Sequence, residues 1–471
     1  MKITIVGAGL GGSLLGIYLA RRGYEVHLFE LRGDLRREPV EVGRSIKLTL
    51  AERGLAALRE LGLEERVKST ITVPLRGRAV HSGKGTVVYQ PYGKNDQEVI
   101  YSFSRNDLNG ILLDVAEEHP NLRVHFNQRC IDLDKETATA MFRDTKAGTE
   151  TRVAADLVVG ADGAYSVVRQ LMQRRERADY RQDYLPWGYK EVSILGAVPG
   201  LPPMDRNFLH IWPCGDYLLF ALPNFDGSLC GVCVLPFEGP YSFGALKTDR
   251  EILELFGTHF ADALPYMPNA VEEFRTRPIS EFVTVRTSRW SYKDKILLIG
   301  DAAHSVVPFY GQGMNAAFED AAILNRLLDR YGNSDWGEML REFTSLRKPN
   351  TDILAQLSIE NFDELRDTAR RPIVTARKRT SIFLNRLFRQ HCVPLYTMVS
   401  HSTLPYSECV ERHRRHERIA RWLGLDLVLA AVSLHLKIKT ALSNRRAARL
   451  ARSRAAAPSR VVTQTVERGW E

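Results

Sequence analysis

Two short glycine-containing turns hold the residues best suited to bind a polar ligand: Gly300-Asp301 and Gly311-Gln312-Gly313. The first follows the apolar run 296–299 and supplies a carboxylate, and the second precedes a stretch with helical spacing. A glycine-rich bend at the start of a helix leaves backbone N–H groups free to bind an anion or a ring carbonyl. The segment therefore predicts a buried strand, an acidic turn and a ligand-binding bend.

A second glycine motif lies near the N-terminus, where Gly7-Ala8-Gly9-Leu10-Gly11-Gly12 matches G-x-G-x-x-G. An apolar strand at 2–6 precedes it, a helical pattern covers 13–22, and a second strand at 25–30 ends in an acid, Glu30. In such a unit the glycines allow a tight turn, close approach of the backbone to a pyrophosphate, and contact between helix and strand. The acid accepts hydrogen bonds from ribose hydroxyls, which favours FAD or NAD over NADP at this site.

A third element of the sequence distinguishes FAD from NAD as the predicted cofactor. The apolar run 156–160 leads into the turn Ala161-Asp162-Gly163, and a helical pattern follows that turn. An NAD dehydrogenase does not need three strand–turn–helix elements spread along the chain. FAD, with its ribityl chain between the ring and the adenosine diphosphate, makes use of all three. The sequence therefore predicts a bound FAD.

Further strings follow one another over about residues 1–415. In chain order they are Gly43-Arg44-Ser45-Ile46, Arg78-Ala79-Val80-His81-Ser82, Pro91-Tyr92-Gly93, Ser104-Arg105-Asn106-Asp107-Leu108-Asn109, His125-Phe126-Asn127, Leu209-His210-Ile211-Trp212-Pro213, Val307-Pro308-Phe309-Tyr310-Gly311-Gln312-Gly313-Met314-Asn315 and Pro394-Leu395-Tyr396-Thr397-Met398-Val399. With these strings the chain resembles the kynurenine 3-monooxygenases, a family of single-component FAD-dependent aromatic hydroxylases. Two residues depart from the family pattern. Lys47 stands where asparagine is usual, and Tyr310 stands where a second phenylalanine is common.

The resemblance implies an aromatic hydroxylase. In this family NADPH reduces FAD, O2 adds at the flavin C4a atom, and the resulting hydroperoxide converts L-kynurenine to 3-hydroxy-L-kynurenine. Because the flavin carries the reaction, we expect neither a catalytic side chain nor a metal. Two alternatives stay open. One is the same chemistry on a modified kynurenine or a related ortho-amino aromatic acid in secondary metabolism. The other is a non-enzymatic FAD-binding protein attached through its basic tail.

The resemblance also assigns residues to the two ligands. An arginine can hold the substrate carboxylate in a bidentate pair, and tyrosine hydroxyls can add hydrogen bonds. The residues implied for the substrate are Arg78, Tyr92, Phe309, Tyr310, Asn361, Glu364 and Tyr396. The residues expected to bind FAD are Gly7, Gly9, Gly11, Gly12, Phe29, Glu30, Leu31, Arg32, Thr49, Arg105, Cys130, Asp162, Asp301, Gly311, Gly313, Met314 and Asn315. The turn around Asp162 is linked in the family to NADPH binding as well.

Composition sets further limits. The chain has 471 residues, 44% of them hydrophobic, which is ordinary for a globular protein, and a net charge of +9. Residues 437–471 are rich in Lys and Arg, and we expect a partly disordered, solvated tail there. A weak contact of this tail with a membrane surface stays open, and no nucleic-acid partner is expected. The stretch 423–436 is too short to span a bilayer and predicts a docked helix, with interfacial attachment as the alternative.

The six cysteines show no disulfide framework, and the pair Cys230 and Cys233 lies in an apolar strand pattern. We interpret this pair as buried strand thiols rather than a metal site. The chain starts directly with a cofactor strand, so we expect no signal peptide and a cytoplasmic location. The sequence does not indicate an oligomeric state.

The pattern of elements predicts an α/β fold in which a Rossmann-like FAD-binding lobe is interlaced with an antiparallel substrate-binding sheet, followed by a helical C-terminal region. The FAD lobe is predicted at 1–75, 100–180 and 285–335, and the sheet lobe at 76–99 and 181–284. The helical region is predicted at 336–436, with the basic tail at 437–471.

Overall fold

The apolar run at the start of the chain forms a central parallel strand in the computed structural model, which describes residues 1–38, 47–82, 85–93, 98–174, 176–367 and 393–422. The strands within these ranges are β1 (Lys2–Val6), β2 (Glu25–Phe29), β3 (Lys47–Leu50), β4 (Thr72–Leu75), β5 (Gly77–His81), β6 (Val87–Pro91), β7 (Ile100–Ser104), β8 (Leu122–His125), β9 (Gln128–Asp134), β10 (Thr139–Asp144), β11 (Glu150–Ala154), β12 (Leu157–Gly160), β13 (Tyr180–Ile194), β14 (Phe208–Cys214), β15 (Tyr217–Pro223), β16 (Leu229–Pro236), β17 (Ser280–Thr287), β18 (Ser291–Tyr292) and β19 (Ile296–Leu298).

Helices flank these strands and dominate after residue 300. They are α1 (Leu10–Arg21), α2 (Glu52–Glu60), α3 (Glu64–Ile71), α4 (Arg105–Glu117), α5 (Val167–Gln173), α6 (Asp249–His259), α7 (Ala270–Thr276), α8 (Asp301–His304), α9 (Gly313–Tyr331), α10 (Trp336–Asp367), α11 (Leu395–Ser400) and α12 (Tyr406–Trp422), with short 3-10 turns at Leu264–Tyr266 and Pro308–Tyr310. The predicted α/β class, with helices toward the C-terminus, is confirmed.

The first sheet brings the three predicted cofactor turns to one edge. Its strand order is β18-β19-β12-β1-β2-β8, and every neighbouring pair except β18–β19 is parallel. In register, Ile5 of β1 lies opposite both Val159 of β12 and Leu28 of β2. Because the carboxyl ends of parallel strands meet at the same edge, the turns after β1, β12 and β19 are neighbours there.

The second large sheet has seven strands in the order β17-β13-β16-β15-β14-β5-β6. Its pairs are antiparallel except that β5 pairs in parallel with β14, where Leu209 lies opposite Arg78. The predicted antiparallel sheet is therefore present, with one parallel pair. This pair forms between strands that a long segment, containing β6 to β13, separates in the chain. Cys230 and Cys233 lie within β16, as predicted; Cys233 is fully buried, but Cys230 is only half-buried, so the prediction of two buried thiols holds for Cys233 alone.

The described residues up to 367, together with 393–413, form one compact unit whose main core lies between the first sheet and its helices. A second core packs β14–β16 against α6 and α7, and a third joins the seven-stranded sheet to Phe309 and Phe362. The lobe boundaries drawn from the sequence stay predictions. The docked helix at 423–436 and the tail at 437–471 lie outside the described residues. None of the helices in the described ranges has the length and apolar content that crossing a bilayer requires.

Candidate active site

A cavity of about 500 Å³ lies between the two large sheets. One end is formed by Gly9 and Gly11 at the start of α1, and the wall also includes Arg78 and Tyr92 from the seven-stranded sheet. The cavity therefore joins the predicted pyrophosphate turn to the predicted substrate residues.

The N-terminal glycines differ in what surrounds them. A Cβ on Gly12 would lie 2.0 Å from the carbonyl oxygen of Gly7, and one on Gly7 would lie 2.5 Å from that of Ala161. A Cβ on Gly9 meets only open space, its nearest neighbour being Nη2 of Arg105 at 3.9 Å. The first two glycines are thus required by the packing of the fold. The space in front of Gly9, at the N-terminus of α1, fits a pyrophosphate.

Glu30 follows β2 and faces the same glycine turn. Its Oε2 accepts a hydrogen bond from the backbone nitrogen of Ala8 at 2.9 Å, and its Oε1 accepts one from the backbone nitrogen of Arg32 at 3.1 Å. Each carboxylate oxygen keeps a further lone pair. The arrangement fits an acid that is held in place by the backbone and accepts hydrogen bonds from ribose hydroxyls.

Asp301 begins α8 and lines the cavity together with Arg105. Its side chain is open to the cavity, and no hydrogen bond to its carboxylate is found within the described ranges. Desolvation by the surrounding protein raises the pKa of Asp301, while the positive charge of Arg105 acts in the opposite direction. An acid placed in this way fits a hydroxyl-rich ligand such as a ribityl chain.

Asp162, unlike Asp301, is hydrogen-bonded to neighbouring residues of its own turn and helix. Its carboxylate accepts hydrogen bonds from Ser166 Oγ at 2.5 Å and from the backbone nitrogens of Val167 and Val168 at 2.7 and 3.1 Å. Burial raises the pKa of this carboxyl group, and these hydrogen bonds partly offset the rise. The side chain of Asp162 therefore fixes the start of α5, while its neighbours Ala161 and Gly163 line the cavity.

The Gly311 bend is fastened to β3 by two side chains. Asn315 donates from Nδ2 to the carbonyl oxygens of Thr49 (2.8 Å) and Gly311 (2.9 Å), and its Oδ1 accepts from the backbone nitrogen of Ala51 (2.8 Å). Thr49 Oγ1 donates to the carbonyl oxygen of Gly311 at 3.1 Å. Gly311 has φ 68, and a Cβ there would lie 2.4 Å from Thr49 Oγ1. The bend is held rigid, and the start of α9 at Gly313 faces the cavity.

Arg78 lies among three tyrosines in the cavity wall. Its guanidinium carbon is 4.8 Å from the ring centroid of Tyr396 and 5.6 Å from that of Tyr92. The rings of Tyr92 and Tyr396 stack at 5.1 Å, and Tyr310 lies 5.4 Å from Tyr396. Arg78 is buried, its Nε has no hydrogen-bond partner, and no carboxylate of the described residues forms an ion pair with it. Thr397 Oγ1 donates to the carbonyl oxygen of Tyr92 at 3.0 Å and so links α11 to this group.

The remaining wall is apolar. Phe309 packs 4.4 Å from Phe362 and 4.8 Å from Phe282, between α10 and the seven-stranded sheet. Asn361, one residue before Phe362 on α10, is buried and donates from Nδ2 to the carbonyl oxygen of Phe309 at 2.6 Å. This bond fixes the position of Phe309 in the wall.

Comparison with known proteins agrees with this geometry. The family model described as an FAD binding domain matches residues 1–351. The kynurenine 3-monooxygenase of Salinispora arenicola is 45% identical over 430 residues, which cover 91% of this chain and 94% of the relative. That of Myxococcus xanthus is 41% identical over 455 residues, covering 96% and 95%. The chain belongs to the kynurenine 3-monooxygenase family. It is therefore an FAD-dependent flavoprotein monooxygenase, as predicted.

Solved structures confirm the fold. The tetrameric form of 2-methyl-3-hydroxypyridine-5-carboxylic acid oxygenase superposes with a TM-score of 0.63 at 20% identity, covering 78% of this chain and 92% of the other. Pseudomonas aeruginosa PqsL in complex with 2-aminobenzoylacetate gives a TM-score of 0.60, covering 78% and 97%. This chain therefore shares its fold with these two proteins.

The structure brings thirteen of the residues expected from the sequence into one cavity wall: Gly9, Gly11, Thr49, Arg78, Tyr92, Arg105, Asp301, Phe309, Tyr310, Gly311, Gly313, Met314 and Tyr396. The other expected residues do not line the cavity: Gly7, Gly12, Phe29, Glu30, Leu31, Arg32, Cys130, Asp162, Asn315, Asn361 and Glu364. Burial raises the pKa of the Cys130 thiol to about 12, so this thiol stays protonated. The binding role of each residue stays a prediction.

Sequence reasoning missed several wall residues on β13, β15 and β17. Tyr189, Phe220 and Glu281 all line the cavity, yet none lies in a glycine motif or in a string shared with the family. It also missed Asp320, whose carboxylate holds the turn that bears Asp301. An acid at a regular position of α9 cannot be distinguished in sequence from a surface acid, so the sequence carried no signal for it.

Proposed function

We propose that this protein hydroxylates L-kynurenine to 3-hydroxy-L-kynurenine, with FAD as bound cofactor and NADPH and O2 as co-substrates. The observation that carries the proposal is the buried guanidinium of Arg78, which no carboxylate of the described residues neutralises. A buried charge without a counter-ion is unfavourable, so the site is completed by an anionic ligand group. The α-carboxylate of an amino-acid substrate supplies that group, and the planar fork of arginine can bind it through two hydrogen bonds.

The tyrosines around Arg78 add neutral hydrogen-bond donors. Burial raises the pKa of Tyr92 and of Tyr310, so both phenols remain protonated at neutral pH. The hydroxyl of Tyr92 is buried without a hydrogen-bond partner of its own. It can therefore donate to a substrate oxygen and help to fix the amino-acid end.

The apolar wall orients the ring of the substrate. Ile211, Leu218, Phe220 and Val232 present one face of the seven-stranded sheet, and Phe309 lies opposite at the cofactor bend. An aromatic ring buried between such surfaces gains from area burial and from edge or offset ring contacts. The same surfaces exclude water, which protects a reactive oxygen species from discharge as peroxide.

FAD, when bound along Gly9, Asp301 and the Gly311 bend, supplies the electron transfer and oxygen activation of the reaction. The residues of the chain contribute binding and orientation. Arg78 and Tyr92 fix the amino-acid end, and the apolar wall sets the position of the ring relative to the bend.

NADPH oxidation with and without L-kynurenine, with the product identified by mass, tests the proposal. We expect oxidation to be stimulated by L-kynurenine and the product to gain one oxygen atom. A protein that only binds FAD would show no stimulated oxidation. Stimulated oxidation that yields only hydrogen peroxide would mean that L-kynurenine is not the true substrate.

A ring-modified kynurenine is the second candidate substrate. It is supported by the two departures from the family pattern, because Lys47 and Tyr310 both line the cavity. A panel of ring-substituted kynurenines compared by kcat/KM would separate the two candidates. A higher value for a substituted ring than for L-kynurenine would favour the second.

We further propose a cytoplasmic location. The described cysteines Cys130, Cys214, Cys230, Cys233 and Cys409 are free thiols, which suits a reducing compartment. Cell fractionation tests this location. Deletion of residues 437–471 tests the membrane contact of the tail: turnover and the soluble fraction stay unchanged if the tail is only a solvated extension.

A further inference from the structure

Among the described residues, three side chains in the cavity wall carry a positive charge: Lys47, Arg78 and Arg105. Arg78 is proposed above to bind the substrate carboxylate. Arg105 acts on the pKa of Asp301, and its Nη2 is the atom nearest to a Cβ placed on Gly9. Both arginines therefore face an acid or the position of a ligand group. The ammonium group of Lys47 has no such assignment.

The Lys47 ammonium group is short of counter-charge. It forms no hydrogen bond or ion pair with any residue that the structure describes. Asp107 and Asp226 attract it, but both acids are exposed and are screened by solvent. The carboxylate of Asp226 also accepts hydrogen bonds from the backbone nitrogen and the Oγ of Ser228, at 3.0 and 2.7 Å. Desolvation lowers the pKa of Lys47 in spite of these acids, so the half-buried ammonium group is poorly hydrated.

Strand β3 places Lys47 beside the bend that precedes α9. Lys47 and Thr49 both line the cavity, and side chains two residues apart in a strand point to the same face. Thr49 Oγ1 donates to the carbonyl oxygen of Gly311, and Asn315 ties the same strand to the bend. Two residues of a strand span about 6–7 Å, a distance that the four-carbon stem of lysine can cover. The Lys47 ammonium group can therefore reach the space in front of the bend.

The substrate carboxylate at Arg78 is too far away to be the partner of Lys47. Lys47 lies beside the thiol of Cys230 on β16. Cys230 lies opposite Leu222 of β15. Leu209 of β14 lies beside Leu222 and opposite Arg78 of β5. Three inter-strand steps therefore separate Cys230 from Arg78, which amounts to about 14 Å. Lys47 and Arg78 serve different ligand groups.

We propose that Lys47 faces the isoalloxazine ring of FAD and that its charge makes the bound flavin easier to reduce. The inference rests on the cofactor placement in the proposed function, in which the pyrophosphate lies at Gly9 and the ring lies at the Gly311 bend. Hydride transfer from NADPH adds two electrons and one proton to the neutral oxidised ring. The reduced ring then carries one negative charge, and NADPH leaves as NADP+. A cation beside the ring stabilises this reduced state relative to the oxidised one.

Two features of the site strengthen the effect of this charge. Apolar side chains of the seven-stranded sheet line the cavity, so charges within it interact in a medium of lower dielectric constant than water. The N-terminus of α9, at Gly313, also faces the cavity and carries the partial positive charge of the helix dipole. Lys47 adds a full charge to this partial charge at the same bend. Both act more strongly on the reduced flavin than on the oxidised flavin.

Equilibrium reduction of the FAD-loaded protein against a dye of known potential tests the proposal, because it measures the midpoint potential of the bound flavin. We expect Lys47→Asn, which introduces the residue usual in the family, to make reduction about tenfold less favourable, a shift of about −30 mV for a two-electron couple. Lys47→Arg keeps the charge and should stay within about twofold of the wild-type equilibrium constant. FAD content and the circular dichroism spectrum should not change in either variant.

Lys68→Asn is the matched control, because half-buried Lys68 lies on α3, outside the cavity wall, and pairs with Glu65 at 3.2 Å. This variant should keep the wild-type potential. An unchanged potential in Lys47→Asn would overturn the proposal, and a rise in KM without a change in potential would place Lys47 at the substrate instead. An equal shift in Lys47→Asn and Lys47→Arg would also overturn it, because the charge would then not be the cause. Dye reduction needs no substrate, so the comparison decides this inference even if L-kynurenine is not hydroxylated.

Discussion

The carboxylate of Asp320 accepts a hydrogen bond of 2.9 Å from the backbone nitrogen of Gly300. The same oxygen, Oδ2, lies 2.6 Å from Nε2 of His304, so one acid in α9 holds both ends of α8. Gly300 has φ 55, a conformation that glycine adopts readily. The turn that presents Asp301 to the cavity is therefore positioned by a residue that does not line the cavity.

Asp320 belongs to a buried ionic network. Its Oδ1 accepts from Arg347 Nε at 2.6 Å, and Arg347 also donates to Glu319 at 2.6 Å. Glu319 accepts in turn from Arg53 at 2.5 Å, and Arg53 donates to the carbonyl oxygen of Leu404. Burial by itself would raise the pKa of Asp320, but the electrostatic interactions with His304 and Arg347 and the hydrogen bonds to its carboxylate lower that pKa overall. The network joins the cofactor turn to the segment that precedes α12.

We expect Asp320→Asn to weaken FAD binding and to lower the free energy of unfolding by about 3–5 kcal/mol, because it leaves Arg347 buried with one partner fewer. FAD fluorescence titration and denaturant unfolding measure the two effects. Asp329→Asn is the control, since Asp329 is 65% exposed and pairs with Arg22 at 2.6 Å, and should cost less than about 1 kcal/mol. Equal FAD affinity in wild type and Asp320→Asn would show that Asp320 does not position the turn.

The glycine turn offers a second test, because Gly9 and Gly12 have opposite surroundings. Gly9→Ala adds a methyl group to open space and should leave the fold intact while blocking the pyrophosphate position. Gly12→Ala forces a methyl group to within 2.0 Å of a backbone oxygen and should destabilise the fold itself. Circular dichroism melting of the apoprotein and FAD titration separate these outcomes. Normal FAD affinity in a folded Gly9→Ala variant would contradict our placement of the pyrophosphate.

Arg78→Lys keeps the charge but loses the planar fork, and Arg78→Met loses both. We expect KM for L-kynurenine to rise in both variants, and by roughly 10- to 100-fold in Arg78→Met, since a hydrogen bond to a charged group contributes about 1.5–3 kcal/mol. FAD content should stay unchanged. Arg76→Met, at an exposed position one residue before β5, is the control. A KM within about twofold of wild type in Arg78→Met would remove Arg78 from the substrate site.

His210 makes stability depend on pH. Its Nε2 donates to the carbonyl oxygen of Asp205, and its Nδ1 lies 2.9 Å from Nε2 of His81, which itself lies 3.3 Å from Asp262. Burial lowers the pKa of His210 from 6.5 to about 4. Between these values the unfolded chain binds a proton that the folded chain does not, so stability falls as pH falls. The loss is complete near pH 4 and amounts to about 3 kcal/mol.

Denaturant unfolding of wild type and His210→Gln at about pH 7.5 and 4.5 measures this contribution. The decrease in unfolding free energy between the two pH values should be smaller in the variant. His119→Gln, on the loop after α4, should behave like the wild type. An identical decrease in wild type and His210→Gln would mean that the pKa of His210 in the folded chain is not lowered by burial.

The sequence by itself determined the cofactor and its main turns. Gly7, Gly12 and Gly311 are each required by the conformation of the nearby backbone, and Glu30 follows the first glycine motif at a fixed distance within one βαβ unit. Short-range spacing in the sequence was therefore sufficient to predict these residues. The same holds for Arg78 and Tyr92, which lie in strings shared with the family.

Only the tertiary structure decided how distant groups meet. Asp320 and Gly300 approach through the packing of α9 on the first sheet, and the exposed face of Tyr180 and Tyr184 depends on the register of β13. Tyr189 and Glu281 enter the cavity wall because β13 pairs with β17, a contact between strands about a hundred residues apart in sequence. Such contacts depend on which faces of the sheets are buried together. The local spacing of residues in the sequence does not predict which faces these are.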